Sequence, residues 1–88
     1  MNHSIRPIPT IAQTRRAALA HAIRWYLDSN QNDEDDIQLE STLVETGIIS
    51  PEDTLFEITT TPEREVRIVT DFETLIIDNA GNTMRGAE

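Results

Sequence analysis

Six acids fall between Asp33 and Glu45: Asp33, Glu34, Asp35 and Asp36 in an unbroken run, then Glu40 and Glu45. Carboxylates can bind a hard cation, exchange protons as a pair, or present charge to a basic partner. The cation reading starts well, because Asp28, Asn30 and Asn32 match positions 1, 3 and 5 of an EF-hand loop. It then fails. Position 6 is Asp33 instead of glycine, position 8 is Asp35 instead of an aliphatic, and position 12 is Leu39, with Glu40 one residue late. Paired-acid catalysis needs two carboxylates at fixed separation in a cleft, and a chain of 88 residues has little cleft to offer. Presentation of charge is the reading that survives.

Other chemistries are thinly supplied. His21 falls on the polar side of a predicted helix, with no ligand at helical spacing apart from Asp28 two turns away, and His3 falls in the N-terminal arm. The chain has no cysteine, which removes disulfides, thiolate metal sites and cysteine nucleophiles. Every basic residue is arginine, so lysine-dependent phosphate loops and Schiff bases are absent, and the three glycines do not cluster. The Asp-Ser-Leu attachment signature of a carrier protein is missing; Ser29, Ser41 and Ser50 stand in other contexts. The expectation is a protein that is not an enzyme and needs no cofactor or metal.

Charge is unevenly placed. Residues 1–29 sum to +3 and residues 30–88 to −12, which gives the net −9. So acidic a surface repels nucleic acid and attracts basic proteins. A helix, a short helix and a hairpin could form a winged helix-turn-helix, but a wing bearing Glu57, Glu63 and Glu65 would repel phosphates. Only Arg6, Arg15 and Arg16 are candidates for direct nucleic-acid contact. No apolar run approaches the ~18 residues of a membrane span, and no signal-peptide pattern opens the chain, so a cytoplasmic protein is expected.

The element that must position these groups is the stretch from Thr10 to Asp28. Thr10 is a good N-cap, Gln13 can complete a capping box, and helix formers fill Arg15 to Ala22. At about 100° per residue, Ile11, Ala12, Ala18, Leu19, Ala22, Ile23, Trp25, Tyr26 and Leu27 share one arc. That arc covers roughly half the circumference, wider than the ~100° stripe of an ordinary surface helix. The helix must therefore pack against a sheet with a second element beside it, or against another subunit. Trp25 is the expected partner or dimer anchor. Arg15 projects into the apolar arc, either snorkelling to water or pairing with a carboxylate of the acidic half.

The remainder reads as follows. Residues 1–9 form a flexible arm, and residues 29–36 an acidic loop. Ile37 to Thr46 suits a strand or a short helix, the helix being favoured by Asp36 as cap and Gly47 as terminator. Residues 48–53 turn. Thr54–Thr61 and Glu65–Asp71 alternate as a hairpin, with Phe56, Ile58 and Thr60 on one side of the first strand. An odd-length loop, Thr61-Pro62-Glu63, would set Phe56 opposite Ile68 and Ile58 opposite Val66. Leu75–Asp78 is a third strand, Asn79-Ala80-Gly81-Asn82 a turn, and Thr83–Arg85 a short fourth strand. Residues 86–88 should fray.

The expected fold class is α+β. One long N-terminal helix and a short second helix precede a three- to four-stranded antiparallel meander packed on the long helix, with residues 10–85 as one domain. The expected function is a small acidic protein-binding module. Its sharpest form is an inhibitor that mimics nucleic acid and occupies a basic, nucleic-acid-binding protein's site, by analogy with small acidic phage inhibitors. Its surface would comprise Asp33, Glu34, Asp35, Asp36, Glu40 and Glu45. One alternative is an accessory subunit, or a homodimer, joined through the apolar helix around Trp25 and Arg15. A second is an antitoxin-like regulator whose basic N-terminal third binds operator DNA.

Overall fold

A computed structural model of the chain describes residues 11–86. Helix α1 spans Ile11–Asp28 and helix α2 spans Asp33–Glu45. Four strands follow: β1 Leu55–Thr60, β2 Glu65–Thr70, β3 Thr74–Asp78 and β4 Thr83–Gly86. They form one antiparallel sheet in the order β1-β2-β3-β4, the α+β meander that the sequence predicts. The expected arm over residues 1–9, the Thr10 cap and the last two residues lie outside the described residues. No described helix is long and apolar enough to cross a membrane.

The breadth of the apolar arc on α1 has a simple use. Leu19, Ala22, Ile23 and Tyr26 are buried in the core, while Trp25 and Leu27 are half-buried against it. The core is completed by Leu39 and Leu43 of α2, Ile49, Val66 and Ile68 of β2, and Leu75 and Ile77 of β3. So α1 is covered by the middle strands on one side and by α2 on another. Each fully buried aliphatic here contributes about 2 kcal/mol through removal from water.

α2 begins four residues before the expected start at Ile37. The sequence reading of residues 29–36 as a loop is corrected: Asp33, Glu34, Asp35 and Asp36 are the first helical turn. Asn32, not Asp36, is the N-cap. Its Oδ1 accepts from the Asp35 amide at 2.9 Å, and the Asp35 carboxylate accepts from the Asn32 amide at 3.3 Å. Four acids in a first turn also suit the positive end of the helix dipole. At the other end the Gly47 amide donates to Val44 O and the Ile48 amide to Leu43 O, with Gly47 at φ +77°. This is the glycine-terminated stop that the sequence predicts.

The first hairpin differs from expectation in register. The loop is odd in length, but it is Pro62-Glu63-Arg64, displaced by one residue. The Thr61 amide donates to Glu65 O, the Arg64 amide to Thr61 O, and Arg64 takes φ +61°. Ile58 therefore pairs with Ile68 and Thr60 with Val66. The same faces meet, slid by one pleat. A bulge between Leu55 and Glu57 absorbs one residue near the start of β1 and leaves Phe56 65% exposed, contrary to its expected place opposite Ile68.

The last turn is tied down twice. Asp78 Oδ1 accepts from the amides of Ala80 and Asn82, both at 2.9 Å, and its Oδ2 accepts from the Asn82 side chain at 3.1 Å. Slight burial works to raise the Asp78 pKa, but these bonds outweigh it and hold the carboxyl below its usual range. Gly81 sits on α1 at φ +84°, where a Cβ would lie 2.2 Å from the Arg16 carbonyl oxygen.

Candidate functional site

The six acids of the predicted surface do not act alike. Asp35 is half-buried and closes the cap of α2. Asp36 is half-buried and accepts a 2.5 Å hydrogen bond from the Tyr26 hydroxyl. Burial, reinforced by the neighbouring Asp36 and Asp35 carboxylates, pushes the Tyr26 phenol well above its usual pKa. These two acids join α2 to its own start and to α1. Asp33, Glu34 and Glu45 are exposed, Glu40 is half-exposed, and none of the four has a hydrogen-bond or ion-pair partner among the described residues.

Helical periodicity gathers those four on one side. At about 100° per residue, Asp33, Glu34, Ile37, Glu40, Ser41, Val44 and Glu45 fall within an arc of about 140° opposite Leu39 and Leu43. Ile37 and Val44 lie near its centre. Asp33 and Glu40 flank them on one side, Glu34 and Glu45 on the other. Ile37 is 63% exposed. Val44 is half-buried and packs on the core below. Between this face and Pro51 lies a shallow depression of 410 Å³, also lined by Ile37, Glu40, Val44 and Glu45.

The cations are elsewhere. Arg64 pairs with Asp28 at 3.5 Å, Arg67 with Glu57 at 3.8 Å, and Arg85 with Glu73. Arg24 donates to the Asn79 carbonyl at 3.0 Å. Arg16 lies against Gly81. The exposed Arg15 has its guanidinium Nη2 3.9 Å from where a Cβ on Gly47 would stand, beside the C-terminal end of α2. That position suits the negative end of the helix dipole.

Trp25, the predicted anchor, lies away from the acidic face. It lines a groove of 360 Å³ between the helices, with Ala18 and Ala22 of α1, Leu39 and Thr42 of α2, and His21. Its ring centroid is 6.5 Å from that of Tyr26. The structure therefore separates the predicted residues. Asp33, Glu34, Glu40 and Glu45 lie on the outside of α2, and Asp35 and Asp36 are held at its start and against Tyr26. Trp25 lines the inter-helix groove, and Arg15 stands by Gly47.

Among the described residues, no group of three or more His, Asp or Glu side chains is placed to hold a metal ion. The three side chains of the EF-hand-like spacing have other surroundings: Asp28 pairs with Arg64, Asn32 caps α2, and Asn30 is exposed. Sequence reasoning missed Ile37 as a surface residue. Its signal was present, since Ile37 and Val44 stand seven apart with acids on both sides, but it becomes visible only once the helix starts at Asp33.

No protein-family model, no curated protein and no solved structure matches the chain.

Proposed function

We propose that this protein is a non-enzymatic binding module whose outer α2 face, carrying Asp33, Glu34, Glu40 and Glu45, engages a basic partner. In its sharpest form it occupies the nucleic-acid site of that partner. The observation that carries this reading is segregation of charge. The four carboxylates lack cationic partners among the described residues, while Glu57 on the sheet, Glu73 in a sheet loop and Asp28 at the end of α1 are matched by arginine. Of the acids outside α2, Glu63 in the first hairpin loop also has no partner among the described residues. Concentrated like charge costs stability at low salt, and a cationic surface relieves that cost. Acids held on a helix are also ordered before the partner arrives, which lowers the entropy lost on binding.

The test is capture and displacement. A basic protein retained on the immobilised chain at about 50 mM salt should be released by duplex DNA, and by salt of about 500 mM. Retention that neither DNA nor salt disturbs would contradict the reading.

A second reading rests on the inter-helix groove. Trp25 is large, half-exposed and set among small residues, the setting of an anchor in an accessory subunit or a homodimer. Trp25→Ala would then abolish assembly, and neutralising the acids of α2 would leave it intact.

A further inference from the structure

The basic-partner reading explains the carboxylates on α2 but not the isoleucine between them. A surface that only imitates phosphates has no need of an apolar seam. Ile37 nevertheless stands 63% exposed with Val44 beside it, over a shallow depression that Pro51 also lines. We infer that the outer face of α2 seats a basic amphipathic helix from a partner protein, with apolar side chains seven residues apart meeting the seam at Ile37 and at Val44 and cations reaching the acids on either flank. This inference rests on the proposed basic partner and adds its secondary structure and its apolar contact.

Charge and spacing both select this occupant. From Trp25 to Glu63 the sequence contains no Arg, Lys or His, so α2 brings no cation of its own to the seam, and Arg15 stands beyond its last turn, beside Gly47. Ile37 and Val44 are seven residues apart, about 10 Å along the helix axis. A partner helix repeats its apolar face at the same interval and can follow the seam. On an extended strand, positions about 10 Å apart are three residues apart and point to opposite faces, so they could not both enter it. A second copy of this chain would have to bring its cations from outside α2, where Arg64, Arg67 and Arg85 are already ion-paired and Arg24 is held by the Asn79 carbonyl.

The probes are two synthetic peptides of identical leucine and lysine content, one with leucines at helical spacing and one with leucine and lysine alternating. Amide chemical shifts of the full chain are followed as each is added. We expect the helical peptide to bind about tenfold or more tighter, with shifts centred on residues 33–45. Ile37→Ser, an exposed change checked for folding by circular dichroism, should erase most of the difference between the peptides. Equal affinities, with shifts still on α2, would overturn the inference and leave the basic-partner reading standing. Shifts centred on the groove around Trp25 or on the sheet would also overturn it. Binding of neither peptide at low salt would overturn both readings.

Discussion

The outer side of α2 and the sheet with its loops are both rich in carboxylates, yet they keep different company. On the sheet side Glu57 and Glu73 each face an arginine, and Arg64 reaches across to Asp28 at the end of α1. Asp78 is wrapped in hydrogen bonds from its own turn, and Glu63 in the first hairpin loop stands free among the described residues. On α2 only Asp35 and Asp36 are engaged, and both by local structure. The other four acids present charge outward without a counterpart among the described residues. The same residue type thus does two jobs. Where the chain supplies a donor, a carboxylate holds a loop or a helix end in place. Where it supplies none, the carboxylate remains available to something outside the molecule.

The largest effect should come from the locked side. Gly81→Ala would put a methyl group into the Arg16 carbonyl and force a left-handed φ on alanine. We expect a loss of about 3 kcal/mol, read by chemical denaturation. A loss under about 0.5 kcal/mol would mean that the last turn is not docked on α1.

Within the acidic run the contrast is sharper. Asn32→Ala removes the cap of α2 and should cost about 1 kcal/mol, whereas Glu34→Gln two residues on should stay within about 0.5 kcal/mol. Equal costs would erase the distinction between structural and free acids.

Alkali should act through the Tyr26 phenol, held neutral by burial and by its bond to Asp36. The folded-state pKa of Tyr26 is raised, so its contribution is complete below the unfolded tyrosine value of about 10 and is lost as pH rises beyond it. Tyr26→Phe should flatten that alkaline loss. An unchanged profile would show that ionisation of the buried Tyr26 phenol does not cause the alkaline loss.

The smallest effect belongs to the surface ion pairs. Arg67→Gln should change stability by less than about 0.5 kcal/mol, since both partners are about half-exposed.

The sequence made some of this legible and hid the rest for identifiable reasons. α1 announced itself through periodicity, and its wide arc required the two neighbours it has. The meander showed in alternation and turn residues. α2 was cut short because Ser29 to Asp36 is uniformly polar, and its capping box uses Asn32 with Asp35 instead of the commoner Ser or Thr with Glu. Phe56 was misplaced because alternation assumes an unbroken pleat, and a bulge consumes one residue without a marker in the sequence. The loop shifted because Arg64 adopts a left-handed conformation that usually goes to glycine or asparagine. At the site, the concentration of charge could be read directly. Which acids were free could not, because that depended on the cap and on the distant hydroxyl of Tyr26.

The most direct measurement compares two neutralised variants against a captured basic partner. One removes the outward acids of α2 (Asp33→Asn, Glu34→Gln, Glu40→Gln and Glu45→Gln together). The other removes the matched acids (Asp28→Asn, Glu57→Gln and Glu73→Gln together). Both are first shown by circular dichroism to be folded. The affinity of the first should fall about a hundredfold, and that of the second should stay within about twofold of the parent. The opposite order, or equal losses, would contradict the claim that the outer face of α2 is the working surface.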